Sequence, residues 1–314
     1  MKLQALIAQY VAFRQSLGED FDAIDSLLKT FCRQVGETLE VDEVGTAQVS
    51  AFLNGTGPVT RYWHRKYSAL RGLYRYAMSR GFVVVSPLPT TVPKLPPRFA
   101  PYIYSRDEVR RLLQATNAYR APRKLQRHTL RAILLLLYGA GLRISEAVAL
   151  TLEDVDLAQA LLTIRNTKFD KTRWVPLGAD LRQALEQYCL QRNGAGHSQQ
   201  PQAPFFVLRR GGPVSIQIVE CNFRCLCEYT GIQRTDGARY QPRLHDFRHS
   251  FAVHRLTAWY QQGADVQTLL PQLSTYLGHA KIAATQVYLT MTPELLQQAS
   301  RRFERYAFAE VDDD

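Results

Sequence analysis

Apolar residues in the first ninety positions recur every three or four residues, the spacing of one helix face. Leu3, Leu6, Ile7, Tyr10, Val11, Phe13 and Leu17 form one series, and Ile24, Leu27, Leu28, Phe31 and Val35 another. From Val59 to Arg80 a longer helix is expected, in which Arg61, Arg65, Lys66, Arg71, Arg75 and Arg80 interleave with a core stripe of Tyr62, Trp63, Tyr67, Leu70, Leu73, Tyr74 and Ala77. The pattern then stops, because residues 86 to 101 hold six of the chain's fifteen prolines, which forbid helix interiors and favour an extended connection. Beyond it, Ser105 followed by Glu108 predicts a capped helix start, and the leucine-rich run from Leu125 to Tyr138 a further helix. Short strands are expected at Leu161–Asn166, Trp174–Leu177 and Phe205–Leu208, with mostly helix after them. Thr292-Pro293-Glu294 starts a last helix, whose apolar stripe is Leu295, Leu296, Ala299, Phe303, Tyr306 and Ala307. Helices, a small sheet and helices again give a mostly α chain with a small antiparallel sheet, an α+β fold. It divides into a helical domain over 1–90, a linker over 86–101 and a larger domain over 102–314 whose last helix covers 292–308.

Charge sharpens this picture. Among 314 residues, 39 are Lys or Arg and 28 Asp or Glu, a formal net charge of +11 that favours a polyanionic partner, nucleic acid being the commonest. The excess is local: residues 1 to 50 carry four basic and eight acidic side chains, residues 51 to 100 eight basic and none acidic. With no acidic partner nearby, the basic face of the Val59–Arg80 helix reads as a phosphate contact surface. The longest apolar run, Ile133 to Leu137, is far short of the ~20 residues of a membrane span. The first helix is interrupted by Gln4, Gln9 and Arg14, unlike a signal peptide, so a cytoplasmic location is expected. Five cysteines form no disulfide framework; Cys221, Cys225 and Cys227 lack a fourth ligand at zinc spacing and read as small thiols of a buried helix. The stretch from Asn193 to Pro204 reads as a surface excursion.

Familiar catalytic signatures are absent. YGAGLRIS lacks the Gly-Lys-Ser/Thr end of a phosphate-binding loop, and no spaced carboxylates suggest a two-metal nuclease. The signal lies in three other segments. GAGLRISEAVAL puts Arg143 just after a Gly-rich helix break, LHDFRHSFA puts His245 and Arg248 on one helical face, and YLGHAKIAATQVYLT puts His279 nine residues before Tyr288. Two arginines can clamp a phosphate, histidines can hold or move protons, and a tyrosine hydroxyl can attack phosphorus. Each has a dull reading taken alone: a cap, a surface pair, a core aromatic. Their joint occurrence does not.

Together these segments resemble the boxes of the tyrosine recombinases, the lambda-integrase-like or Xer-like family. GLRISE resembles the box of the first arginine, HDFRH the His-x-x-Arg box, and LGHAKIAATQVY the His-to-Tyr box. TKFDKTRWVPL resembles the family's β-hairpin, with Lys168 at the catalytic lysine and Lys171 at the second, though Thr167 and Phe169 replace the flanking glycines. RKYSALRGLYRYAMSRGFVVVSP resembles the last helix and exit of the core-binding (SAM-like) domain.

The resemblance implies a C-shaped clamp on DNA and a site-specific recombinase that works without metal or other cofactor. Tyr288 attacks the scissile phosphate, giving a 3′-phosphotyrosyl intermediate and then a Holliday junction. Arg143 and Arg248 neutralise the non-bridging oxygens, Lys168 protonates the leaving 5′-oxygen, His245 acts as base or hydrogen-bond partner to Tyr288, and His279 holds a phosphate oxygen. Arg61, Arg65, Lys66, Arg71, Arg75, Lys171 and Arg173 contact DNA. Glu146 orients rather than catalyses, and His249 is either a supporting residue or a packed histidine. Tyr240, Tyr260 and Tyr276 are rival nucleophiles set aside by the family match; His128, His197 and His254 read as surface or core. The partners implied are double-stranded DNA with inverted-repeat half-sites, three further copies in a homo-tetramer whose C-terminal helix docks in trans, and an accessory recombinase or DNA-bending protein, with no membrane. Two alternatives keep the fold: a catalytically silent DNA-binding regulator and a type IB topoisomerase.

Overall fold

A computed structural model describes residues 1–55, 57–96, 100–118, 125–167, 171–238, 240–279 and 281–309, and the side chains of 166, 167, 171, 302 and 304–309 are outside that description. The chain falls into two compact units, Met1–Phe99 and Ala100–Asp314.

The first unit consists of helices α1 (Leu3–Ser16), α2 (Asp22–Val35), α3 (Thr46–Leu53) and α4 (Arg61–Ser79). Leu6, Leu28, Phe31, Val49, Leu70, Leu73 and Tyr74 close its core, so the helical periodicity of the sequence has been spent on burial. Phe13 and Leu17 extend the α1 series but stay exposed. On α4 the expected stripe is buried at Trp63, Leu70, Leu73, Tyr74 and Ala77, while Tyr62 is a correction: it is 55% exposed and takes the Lys66 ammonium over its ring. Arg61, Arg65, Arg71, Arg75 and Arg80 are exposed. Lys66 is only half-exposed, because its Nζ donates to the Phe52 carbonyl at 2.6 Å.

The second unit is built on α5 (Arg106–Ala118), α6 (Arg127–Gly139), α7 (Ile144–Ala149), a sheet of β1 (Val155–Asp156), β2 (Leu161–Thr167) and β3 (Lys171–Pro176), then α8 (Ala179–Gly194), α9 (Ile216–Thr230), α10 (His245–Gln261), α11 (Val266–Leu277), α12 (Ala283–Gln286) and α13 (Pro293–Ala309). α5 starts with the reciprocal cap its sequence announces: Glu108 N–H donates to Ser105 Oγ at 3.1 Å, and Ser105 N–H to Glu108 Oε2 at 2.8 Å. α6 buries Leu130, Ile133, Leu134, Leu136 and Leu137, as expected of a helix with helices on most sides, and packs against α5, α8 and α10.

The sheet is antiparallel in the order β1-β2-β3, with Leu162 opposite Val175 and Ile164 opposite Arg173. Alternation turns Leu162, Ile164 and Val175 inward and leaves Trp174 70% exposed. Two strand expectations change. β1 is a third strand too short to show a pattern. Phe205–Leu208 is not a strand, because its apolar run threads the core between helices instead of joining a ladder. There the Phe205 carbonyl accepts from Arg192 Nε at 3.1 Å, and Tyr188 Oη accepts from the Val207 N–H at 3.2 Å. The stretch from Asn193 to Pro204 begins as the last turn of α8 and ends stitched to the loop before β1, where Glu153 N–H donates to the Pro201 carbonyl.

Between α6 and α7 the chain reverses at Gly141, whose φ of +61° favours glycine, and a Cβ there would lie 2.5 Å from the buried Phe251 ring. Neither ring nor backbone has room to yield. Gly141→Ala is therefore expected to destabilise the chain by about 3 kcal/mol, strain and overpacking combined, read as a lower urea midpoint at unchanged slope.

Candidate active site

The carbonyls at the end of a helix have no partner within it. At the end of α11, Gly278 adopts φ +66° and closes a left-handed cap, in which Gly278 N–H donates to Thr275 O and His279 N–H to Ser274 O. That leaves three carbonyls in a row, and three arginines from three other elements take them. Arg173 Nε donates to Tyr276 O at 3.0 Å, Arg248 Nη2 donates to Leu277 O, and Arg143 Nη2 to Gly278 O at 3.2 Å. Cations here also suit the negative end of the helix dipole.

Each arginine is placed by local structure. Arg143 is the N-cap of α7, where Glu146 Oε2 accepts its backbone N–H at 3.0 Å and Oε1 its Nη1 at 2.6 Å. Arg173 forks onto both oxygens of the same carboxylate, at 3.0 and 2.8 Å. Arg248, one turn into α10, is 1% exposed and donates Nη1 to Gly141 O at 2.8 Å. The turn that needs a glycine is thus also the turn that anchors the buried arginine.

Histidines and the tyrosine complete the cluster. His279 Nδ1 lies 2.7 Å from the Oγ1 of buried Thr285, and its ring stacks on Tyr288 at 6.1 Å. Tyr288 sits 3% exposed in the 3-10 turn Val287–Thr290, its hydroxyl 3.2 Å from His249 Nδ1. His245 packs edge-on against His249, ring centres 4.7 Å apart. Three arginines, three histidines and a buried tyrosine thus share one site.

The phage integrase family matches residues 103–294, the span that holds all of these groups. Among relatives, y4rB of Sinorhizobium fredii, a provisionally named integrase/recombinase, is 37% identical over 78% of this chain and 78% of its own. The tyrosine recombinase XerD of Mycobacterium leprae is 36% identical over 74% of this chain and 71% of its own. The chain belongs to the phage integrase family, the tyrosine site-specific recombinases. Its fold is similar to that of the Tn1549 transposon integrase, solved in complex with transposon right end DNA, at a TM-score of 0.72 and 17% identity over 98% of this chain and all of that one.

The site's electrostatics follow from burying several cations together. Burial and the neighbouring Arg143 pull the Arg248 guanidinium down to about 10. Burial first, then the arginines and the neighbouring histidines, hold His249 at about 3 and His279 at about 4, and lower His245 as well. The recombinase therefore keeps these imidazoles neutral at pH 7, able to accept a proton or a hydrogen bond. Burial pushes the Tyr288 hydroxyl up, and Arg248 and Arg143 draw it partly back. The rival Tyr276 stacks on Phe251 at 5.7 Å and is pushed up to about 12, chiefly by burial. His254 bonds the Tyr138 hydroxyl at 2.8 Å, a packing role.

Two sequence expectations change. Among the described residues His249, not His245, meets the Tyr288 hydroxyl, because Tyr288 packs against the next turn of α10. Arg173, expected on DNA, has an 11% exposed side chain committed to Glu146, since strand alternation turns it inward between exposed Thr172 and Trp174. Lys168 lies outside the described residues, as does the Lys171 side chain; the Lys171 backbone pairs with Thr167 across the hairpin. Thr285 gave no signal in the sequence, whereas His249 was visible as the residue four after His245.

Glu146 gives a pH test. Burial opposes its charge, yet Arg173 and Arg143 win and hold its carboxyl near 2 instead of 4.5. A carboxylate depressed on folding stabilises fully above its unfolded value and loses that contribution as pH falls through its folded one, so this ion pair gives about 3 kcal/mol above pH 5. Glu146→Gln is expected to lower the unfolding free energy by roughly that much at pH 7, with the difference from the parent shrinking between pH 5 and pH 2.

Proposed function

We propose that the chain exchanges strands of double-stranded DNA through a phosphotyrosine at Tyr288. The observation that carries this is the convergence of Arg143, Arg248, His279 and Tyr288 around the end of α11. In the proposed step Tyr288 Oη attacks phosphorus, a tyrosyl 3′-phosphate bond forms and the bond to the 5′-oxygen breaks. The tyrosine proton passes to neutral His249, whose Nδ1 the hydroxyl already meets, with His245 behind it. Arg143 and Arg248 balance the charge growing on the non-bridging oxygens, His279 holds one of them, and Lys168 gives the 5′-oxygen its proton. The phosphotyrosine conserves the bond energy, so rejoining is the reverse attack by a 5′-hydroxyl and draws on no cofactor.

DNA as the partner is supported by the solved relative, itself a complex with transposon end DNA, and by the exposed basic face of α4 at Arg65, Arg71 and Arg75, with Arg61 bonded to the Pro96 carbonyl at its edge. The site of action is the cytoplasm, at the nucleoid; no described helix is long and apolar enough to cross a membrane. One tyrosine per copy cuts one strand, so exchange of four strands on inverted half-sites takes four copies, with an accessory recombinase or DNA-bending protein assisting. The C-terminal helix links neighbours. Leu295 is wholly buried in its own unit, while Leu296 is 48% and Phe303 71% exposed, an apolar edge free to seat on another copy.

Two experiments test this reading. On a nicked site that traps the cleaved state, selected by the full chain from random duplex, Tyr288→Phe is expected to give no denaturant-resistant protein–DNA adduct while binding stays within about 2-fold; an adduct from that variant rejects Tyr288 as nucleophile. The pair Leu296→Ser and Phe303→Ser is expected to keep the melting temperature and half-site affinity but lose cooperative binding of a full site. Retained cooperativity in that variant rejects docking in trans.

A further inference from the structure

Arg173 was expected on the DNA, yet its guanidinium is spent inside the protein. All its observed bonds point inward: Nη1 and Nη2 to the two oxygens of Glu146, Nε to the Tyr276 carbonyl. Room for it is provided by an absent side chain. A Cβ on Gly278 would lie 2.9 Å from Arg173 Nη1, 3.1 Å from Cζ and 3.2 Å from Nε, so the guanidinium lies flat against the glycine just before His279.

We propose that Arg173 is a positioning residue for strand cleavage, acting on the scissile phosphate only through the Glu146 carboxylate and Arg143. This rests on the proposed roles of Arg143 and Tyr288. Glu146 accepts four hydrogen bonds, two from Arg143 and two from Arg173, which fill its lone-pair positions and leave it one orientation. The charge matters as much as the geometry. Alone with Glu146, Arg143 would face a full countercharge at 2.6 Å and present little net field to a phosphate. With Arg173 as second donor, two guanidinium groups share one carboxylate and the group keeps one positive charge. Arg143 is its outermost member, with 35% of its side chain exposed against 11% for Arg173 and 9% for Glu146. Arg173 also bonds the Tyr276 carbonyl, next to those held by Arg248 and Arg143, which keeps its guanidinium in place against Glu146.

Lysine at this position would keep the charge but lose the fork and the carbonyl bond, whereas methionine would keep only the bulk. The test uses the full chain on the same nicked duplex, under single-turnover conditions with protein in excess, and the parent's own adduct serves as reference. Absence of that reference adduct would reject the proposed function itself, separately from this inference. With the parent active, Arg173→Met is expected to slow adduct formation on the order of 100-fold, the scale of a displaced catalytic group, and Arg173→Lys to recover part of that loss. Half-site affinity and its dependence on salt are expected to match the parent in both variants. Because Arg173→Met removes a partner of buried Glu146, adduct rates are compared well below each variant's measured melting temperature, and Glu146→Gln is combined with Arg173→Met. The double variant is expected to be no slower than the slower single one, since both act through one carboxylate. A salt slope reduced by about one unit in Arg173→Met would overturn the proposal in favour of a direct phosphate contact. Parent-like cleavage by folded Arg173→Met, or fully additive losses in the double variant, would overturn it as well.

Discussion

Three guanidinium groups on three consecutive carbonyls hold this catalytic unit together. The end of α11 would otherwise leave Tyr276, Leu277 and Gly278 with unpartnered acceptors inside a buried site. Their donors come from β3, α10 and the turn before α7, so one helix terminus gathers all three elements. In the proposed reaction the arrangement serves the chemistry as well: a helix end that needs cations gathers them where a phosphate would need them.

Gathering cations in one place has consequences that run through the site. Arg248 has no carboxylate partner in the bonds described; backbone oxygens at Leu277 and Gly141 hold it, and burial, with Arg143 beside it, leaves its proton less tightly kept. Glu146 serves the outer pair instead, leaving net positive charge at the more exposed Arg143. The same field, added to burial, denies protons to His249 and His279 and eases the loss of the one on Tyr288. Neutral acceptor and reluctant donor then meet at 3.2 Å. A buried, protonated tyrosine beside a neutral imidazole is a resting state in which the hydroxyl is shielded from water and already paired with an acceptor.

Much of this was legible in the chain, for identifiable reasons. Helices whose apolar positions were read in the sequence, such as α2 and α6, sit where their patterns put them, and the Ser105–Glu108 and Thr292 caps mark true starts. The proposed catalytic set was legible because its members fall in short runs of fixed spacing. What the sequence concealed were contacts between distant runs. Arg173 reads as a basic residue on a hairpin until strand alternation turns it onto Glu146, twenty-seven positions earlier. His249 and Tyr288 are thirty-nine apart, and only the packing of the 3-10 turn on α10 decides which histidine of HDFRH reaches the hydroxyl. Phe205–Leu208 misleads because a largely buried coil segment and a buried strand share one composition.

The central claim is that the group held against His249 and His279 is the one that takes the DNA. It is tested most directly by digesting the trapped protein–DNA adduct and mapping the modified peptide by mass spectrometry. A single nucleotide-bearing residue is expected, Tyr288, linked to a 3′-phosphate, with a free 5′-hydroxyl on the released strand. Attachment at Tyr240, Tyr260 or Tyr276, or linkage through a 5′-phosphate, would contradict it.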